Sequence, residues 1–300
     1  MSRSMLIRRG GNMLQACKRF LASIPVVTWY TSSEWALRRA LRDAGAAIPP
    51  RKPNTSWMNT TLRSRKQVVQ AFAEVRACGL PPHPDRQKNW DALSALHLIL
   101  ARTDKNAVVL EVGAPLYSVM LPWLYLFGYR NLRGIDLVFD KPVRRGPILY
   151  DHGDLTATRF KSASFDVIVS LSVIEHGVSV DAYFREMSRL LRPSGVLITS
   201  TDYWPDPIDT RGQIAFGVPI KIFTRPDLQA MLTTARGYGL RPTGDISLEC
   251  DEKAVTWDPF DLHYTFTCFA LEKEESSSID QKRSRTVAKN RARAAADVVR

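Results

Sequence analysis

Short apolar runs alternate with helical patterns through the middle of the chain. Residues 108–110 and 165–171 are rich in β-branched side chains, which is typical of strands buried on both faces of a parallel sheet. Residues 148–150 and 196–200 predict two more strands, and another strand ends at Asp136. Strands that alternate with helices in this order predict a doubly wound, mostly parallel sheet with right-handed crossovers.

Capping residues and apolar residues at helical spacing predict the helices. They comprise residues 33–45, 62–78 and 89–102, a helix between Ser118 and Gly128, residues 180–191, and a helix that begins after Thr224 and ends at 237–239. Residues 244–248 and 263–271 are the last strand candidates and fit an antiparallel pair at one edge of the sheet. The predicted fold class is α/β: a doubly wound, Rossmann-like, mostly parallel seven-stranded sheet with helices on both faces, an antiparallel C-terminal strand and a helical N-terminal extension.

The composition narrows the setting in which such a fold would work. Apolar residues make up 45% of the 300 residues, as in an ordinary globular protein. The four cysteines are scattered without a C-x-x-C spacing, which indicates neither a zinc site nor a disulfide framework and favours a reducing, cytoplasmic location. The longest apolar run is about a dozen residues, whereas a bilayer span needs about 20. The polar, basic N-terminus predicts no signal peptide.

Charge is distributed unevenly along the chain. Residues 1–76 carry 14 Lys and Arg against 3 Asp and Glu, and residues 282–300 carry 7 against 1. With a total of +12, residues 77–281 therefore have a net charge of −5. This pattern predicts a mildly acidic body with two basic arms, which suit either an anionic partner or simple solubility. The sequence leaves the oligomeric state open.

Candidate binding residues lie where the predicted strands end. Glu111 and Gly113 close the first strand, and a glycine there lets a ligand come close to the main chain. Asp136 ends the second strand. Because open α/β sheets bind ligands at the carboxyl ends of their strands, an acid in this position can accept hydrogen bonds from ribose hydroxyls.

Five segments in matching order resemble the class I S-adenosylmethionine-dependent methyltransferases, close to the type 11 family. They are V-L-E-V-G-A at 109–114, G-I-D-L at 134–137, G-D-L at 153–155, F-D-V-I-V-S-L-S-V-I-E-H at 165–176 and F-R-E-M-S-R-L-L-R-P-S-G-V-L-I-T-S at 184–200. The resemblance implies a methyltransferase domain over 105–272, preceded by a basic helical extension over 1–104 and followed by a basic, disordered tail over 273–300.

The resemblance also implies that S-adenosylmethionine is the cofactor and assigns residues to it. The set comprises Glu111, Gly113, Ala114, Tyr117, Asp136, Leu137, Asp154, Leu155, Ser170 and Leu171. Within it, Asp136 matches the acid that binds the ribose hydroxyls, Leu137 the residue that packs on adenine, and Asp154 the acid near the adenine amino group. Pro115 and Tyr117 occupy positions where the family usually has further glycines, so either Tyr117 lies over the ligand on a rerouted loop or cofactor binding is weakened.

His176 follows the fourth strand and is the candidate catalytic base, because its pKa and location suit proton transfer from an acceptor. The alternative for this side chain is a packing or capping role at the following helix. No metal site is predicted. Segment 202–223 is predicted to be a long loop over the substrate, with Tyr203, Trp204 and Phe216 as a wall and Trp57 or Trp90 opposite.

The predicted function is methyl transfer to a small-molecule or glycan acceptor, at oxygen. Two alternatives remain open at this point: a non-catalytic binding protein related to methyltransferases, and an RNA methyltransferase that uses the basic arms. The acidic body disfavours nucleic acid, because it lacks the basic stripe expected of such an enzyme.

Overall fold

The computed structural model of the protein describes residues 33–55 and 57–275. Most of the basic N-terminal arm, residues 1–32, and the predicted tail beyond 275 lie outside the described residues. Six α-helices are described: α1 Glu34–Asp43, α2 Arg65–Ala77, α3 Asn89–Arg102, α4 Met120–Leu126, α5 Val180–Leu190 and α6 Arg225–Gly237.

The described strands range from two to thirteen residues. They are β1 Thr60–Thr61, β2 Val108–Val112, β3 Asn131–Asp136, β4 Val143–Arg145, β5 Ile148–His152, β6 Phe165–Leu171, β7 Leu191–Tyr203, β8 Ile214–Ala215, β9 Val218–Pro219, β10 Leu240–Pro242, β11 Val255–Trp257 and β12 Leu262–Lys273.

The main sheet has a parallel centre in the order β5-β3-β2-β6-β7. Strand β12 then pairs antiparallel with β7, from Thr265 opposite Tyr203 to Glu272 opposite Val196. The doubly wound, mostly parallel architecture with an antiparallel C-terminal strand is thereby confirmed. Among the described residues the sheet has ten strands instead of the predicted seven, because segment 244–248 is not a strand and the short antiparallel strands β1, β4, β10 and β11 extend the pairing.

Alternation along the strands divides the core into two clusters, one on each face of the sheet. On one face, Val109 of β2 and Val167 of β6 pack in the same cluster as residues of α1 to α4. On the other face, Leu110 and Ile168, their neighbours in sequence, pack with residues of α5 and α6. The helices therefore cover both faces, and the helices that precede β2 share one core with the sheet.

Most helix ends follow the predicted signals. Thr224 and Asp227 form a complete capping box at the start of α6, and Ser33 accepts a hydrogen bond from the backbone N–H of Ala36 in α1. At α4 the N-cap is Val119, one residue later than expected. The Ser118 hydroxyl lies just before it, on the path from β2 into the helix.

Two segments differ from the predictions. Residues 244–248 form no strand, because β1 already occupies the edge of β12 beside them and the segment instead donates one bond from Ser247 N to Asn59 O. The loop predicted at 202–223 contains the antiparallel hairpin formed by β8 and β9, and β7 continues to Tyr203. Over the described residues, no helix combines the length and apolar character that a membrane span requires.

Candidate active site

The carboxyl ends of the parallel strands β2, β3, β5, β6 and β7 all open on one edge of the sheet. The sheet register brings Glu111 of β2 level with Gly134 of β3 and Val169 of β6. The helix α3 precedes β2 and runs antiparallel to it, so its first turn lies at this same edge. Asp91 of that turn accepts a hydrogen bond of 2.6 Å from the Ser200 hydroxyl of β7. The predicted site residues are distributed along this edge.

Glu111 is a buried carboxyl group, with 3% of its surface exposed. Its Oε1 accepts a hydrogen bond from the Ser118 hydroxyl, while Oε2 is buried without a partner among the described residues. Burial raises the pKa of Glu111 to about 7, although the Ser118 hydrogen bond opposes this shift. A carboxyl group with one free buried oxygen can accept a hydrogen bond from a cationic or amino group of a ligand.

Gly113 turns the chain away from β2 with a φ of +65°. A Cβ atom at this position would lie 2.4 Å from Cγ2 of Val173, so the strand end can approach the β6 loop only as glycine. Ala114 is buried and its N–H donates to Ile135 O. The main chain of β2 is thus held close to that of β3 at the point where the ligand is expected.

The loop after Ala114 folds into a tight turn in which Ser118 N donates to Pro115 O over 2.9 Å. This turn places the Tyr117 ring against His83, with ring centroids 6.0 Å apart in an edge contact. Burial, with a further contribution from Asp136, raises the pKa of the Tyr117 phenol. The Asp136 carboxylate is therefore close enough to act on the Tyr117 phenol.

Asp136 lies half-buried at the end of β3, where its Oδ1 accepts a bond of 3.0 Å from Val138 N. Burial raises the pKa of this carboxyl. The next two side chains are apolar and open to solvent, since Leu137 is 67% exposed and Val138 is 64% exposed. An acid beside an exposed apolar surface suits a ribose and the flat base attached to it.

Asp154 and Leu155 follow β5. The Asp154 carboxylate is exposed and accepts bonds from the backbone N–H and the hydroxyl of Thr156, at 2.8 and 2.6 Å. Leu155 is partly buried against the cluster that contains α5 and α6. Asp154 is therefore fixed by its own turn, with one carboxylate oxygen free to accept another bond.

At the end of β6, Ser170 is fully buried and Leu171 is partly buried. Ser172 adopts the left-handed region with a φ of +52°, and its Oγ is buried without a partner among the described residues. Its N–H is held by Ser200 O and by Ser200 Oγ. The left-handed residue turns the chain from β6 toward Glu175 and His176.

Glu175 and His176 lie next to each other in different environments. Glu175 is 2% exposed and accepts a bond of 3.0 Å from Thr201 Oγ1. Burial and the neighbouring Asp202 raise the pKa of Glu175. His176 is half-buried, and burial together with the charge of Lys88 lowers its pKa to about 4, so the imidazole is neutral at physiological pH.

The sequence interpretation missed three charged groups near this pair: Lys88, Asp91 and Asp202. Asp202 lies at the carboxyl end of β7, as Asp136 does on β3, and this shared position is the signal that could have revealed it. Burial raises the pKa of Asp202, while Lys88 opposes the shift. Lys88 and Asp91 flank the start of α3, which precedes β2 and therefore begins at the same edge.

The aromatic surface beside His176 consists of Phe216, which was predicted, and Trp257, which was not. Phe216, at the tip of the hairpin of β8 and β9, lies 4.9 Å from the His176 ring and stacks at 6.5 Å on Trp257 of β11. Tyr203 instead is fully buried and donates its hydroxyl to Leu248 O. Trp90 is buried in the core and stacks with Trp57, with ring centroids 6.5 Å apart. Within the described part of the chain, Phe216 is the predicted aromatic residue that has a ring contact with His176.

Within residues 33–55 and 57–275, no group of three or more His, Cys, Asp or Glu side chains is arranged to bind a metal ion. The same edge does fit a nucleoside with a cationic amino-acid tail. It offers the free Oε2 of Glu111, the glycine approach at Gly113, the Asp136 carboxylate and the exposed Leu137 side chain.

Residues 110–199 match the model of a family described as a methyltransferase domain. No curated protein matches the chain. Similar solved structures include an S-adenosylmethionine-dependent methyltransferase from Methanosarcina mazei, with 14% identity, 60% of this chain and 98% of the other covered, and a TM-score of 0.44. Another is the 1,6-didemethyltoxoflavin-N1-methyltransferase from Burkholderia thailandensis with bound S-adenosylhomocysteine, with 20% identity, coverages of 70% and 87%, and a TM-score of 0.45. A methyltransferase from Mesorhizobium loti has 16% identity, coverages of 62% and 100%, and a TM-score of 0.44.

The match runs from β2 to β7. It includes Glu111 in β2, Asp136 at the end of β3 and His176 after β6. Over residues 110–199, the chain is therefore similar to the methyltransferase-domain family.

Proposed function

We propose that this protein transfers the methyl group of S-adenosylmethionine to a hydroxyl oxygen of a small-molecule or glycan acceptor. The observation that carries the proposal is the adjacency of two compartments at one sheet edge. Glu111, Gly113 and Asp136 line the first, and His176 lies under Phe216 in the second. They meet at the ends of the neighbouring strands β2 and β6.

The first compartment is assigned to the cofactor, with the residues expected from the resemblance. Asp136 would accept hydrogen bonds from the ribose hydroxyls, and the exposed Leu137 side chain would pack on the adenine. Glu111 would accept a bond from the amino-acid tail through its free oxygen. When bound, S-adenosylmethionine supplies an electrophilic methyl group on a sulfonium. The Glu111 and Asp136 carboxylates favour binding of that positive charge.

The second compartment is assigned to the acceptor. His176 would accept a hydrogen bond from the acceptor hydroxyl and take its proton as the methyl group is transferred. Its lowered pKa keeps the imidazole unprotonated and also makes it a weaker base than an ordinary histidine. The Phe216 ring covers one side of the imidazole. Alignment and exclusion of water then account for much of the acceleration expected in an in-line displacement.

The cellular location and the domain boundaries are two further proposals, each with its own grounds. We place the reaction in the cytoplasm, because Cys78, Cys250 and Cys268 are free thiols in the described part of the chain. We keep 105–272 as the methyltransferase domain, with 1–104 as its extension, although Lys88 and α3 bring that extension to the site.

Calorimetric titration with S-adenosylmethionine and with S-adenosylhomocysteine tests the proposal. The protein should bind both, and Asp136→Ala should weaken binding by about 10- to 100-fold, since hydrogen bonds to a charged group contribute about 1.5–3 kcal/mol each. Asp140→Ala is the matched control, because Asp140 is exposed and lies outside the strand end. A flat trace for both ligands with the unmodified protein would reject the proposal.

A further inference from the structure

Lys88 occupies a central position that the proposed mechanism does not use. Its ammonium lies 4.1 Å from the centre of the Phe266 ring of β12, and Phe266 lies opposite Asp202 of β7 in the sheet register. Its charge lowers the pKa of His176, after burial, and opposes the raised pKa of Tyr117. One ammonium group therefore acts on both the acceptor compartment and the cofactor loop.

Acidic groups surround this ammonium without pairing to it. Burial alone would lower the pKa of Lys88, but Asp202, Asp91 and Glu175 raise it, so the side chain is charged. Across the described residues, none of their carboxylate oxygens lies within the 4.0 Å of an ion pair with Lys88 Nζ, and no hydrogen bond from Nζ is found. The three ammonium donors therefore have no hydrogen-bond acceptor within the described part of the chain.

The charges around Lys88 select a neutral ligand with both donors and acceptors. A cationic ligand would meet the ammonium, and an anionic ligand would meet the buried carboxylate of Asp202, which is 3% exposed. Both encounters are costly in a buried setting. Vicinal hydroxyls satisfy both groups at once, because a hydroxyl accepts from an ammonium and donates to a carboxylate.

The hairpin supplies a second, independent indication of the ligand. Phe216 is 66% exposed although it stacks on Trp257 with an interplanar angle of 21°. Such a supported aromatic face beside His176 offers an apolar platform at 4.9 Å from the imidazole. A ring with one apolar C–H face and hydroxyls at its rim complements the platform and the charged groups together.

We propose that the acceptor is a neutral sugar, held with vicinal hydroxyls between Lys88 and Asp202 and with its apolar face on Phe216. This assignment rests on the proposed methyltransferase function and specifies its acceptor. Lys88 is then a specificity-determining residue contributed by the segment before the matched domain.

The test uses saturation-transfer difference NMR on the full chain loaded with S-adenosylhomocysteine. The probes are the neutral sugars glucose, galactose, mannose and rhamnose, the anion glucuronate, the cation glucosamine and the planar phenol catechol. At least one neutral sugar should bind, and more tightly than the two charged sugars and catechol. Lys88→Met and Asp202→Asn should each weaken it by about tenfold, the loss expected for a hydrogen bond to a charged group.

Two controls keep this result interpretable. Lys105→Met removes an exposed lysine near Gly128, at the opposite edge of the sheet, and should leave sugar binding unchanged. Titration of S-adenosylhomocysteine into each variant reports the fold and the cofactor compartment separately, so its failure counts against the proposed function alone. The sugar assignment is overturned if no neutral sugar binds, if a charged sugar or catechol binds better, or if a folded Lys88→Met protein binds the sugar as before.

Discussion

Replacing Glu111 by glutamine should remove a large part of the pH dependence of stability. The carboxyl lies 3% exposed inside the sheet, and burial raises its pKa from an ordinary 4.5 to about 7. Gln has nearly the same shape and can still accept the Ser118 hydroxyl through its carbonyl oxygen. The substitution therefore fixes the site in a neutral form without opening a cavity.

The sign and size of the effect follow from proton linkage. Because the folded state holds the Glu111 proton more tightly, its contribution to stability is complete below pH 4.5 and is lost as the pH rises through 7. A shift of about 2.5 pKa units at about 1.4 kcal/mol each corresponds to about 3 kcal/mol. The wild-type protein should lose this amount between pH 4.5 and pH 8 relative to Glu111→Gln.

Urea unfolding at a series of pH values, without cofactor, measures this difference. Other buried acids also titrate in this range, so the informative quantity is the free energy of unfolding of the variant minus that of the wild type. It should rise by about 3 kcal/mol from pH 4.5 to pH 8. Asp104→Asn, at an exposed position, should run parallel to the wild type. Parallel curves for Glu111→Gln as well would refute the assignment of a buried carboxyl with a raised pKa.

Three further predictions concern the strand end, the hairpin and a helix start. Gly113→Ala should lower the free energy of unfolding by about 1–3 kcal/mol and abolish S-adenosylhomocysteine binding in calorimetry. The reason is that the new Cβ would lie 2.4 Å from Val173 Cγ2, at a φ of +65°. Normal binding by this variant would contradict the close approach. Phe216→Ala should raise the pKa of His176 from about 4 toward 6.5 in an NMR titration, since it exposes the imidazole; an unchanged pKa would show that the burial comes from elsewhere. Thr224→Ala should cost about 1 kcal/mol in urea unfolding through loss of the capping box, and no change would contradict that role.

The strands that carry the proposed cofactor residues could be predicted from the sequence because their signals are local. The β-branched runs of β2 and β6 are buried on both faces, so the strands read as continuous apolar segments. Asp136 could be placed at a strand end because it closes the short segment G-I-D that follows the turn after Gly128. The capping box at Thr224 is equally local, as both partners lie three residues apart.

The rest depends on contacts between distant segments, which no local pattern reports. Residues 244–248 have a strand-like composition, yet β1 already pairs with the edge of β12 beside them. The hairpin of β8 and β9 has only two residues in each strand, too few for a visible alternation. Lys88 reaches the site because α3 packs on the sheet and its first turn meets Ser200 of β7, a relation that spans over a hundred residues.

The Pro115 and Tyr117 positions show how a departure from the usual glycine pattern is accommodated. A proline has no N–H to donate, but in the turn of 115–118 only its carbonyl is needed, and Ser118 N binds it at 2.9 Å. The Leu116 carbonyl is held by Arg145 at 2.9 Å, which anchors the loop to β4. The turn places the Tyr117 ring in edge contact with His83, with ring centroids 6.0 Å apart. The close approach at Gly113 and the Tyr117 side chain therefore coexist in one loop, because the turn of 115–118 requires no backbone N–H from Pro115.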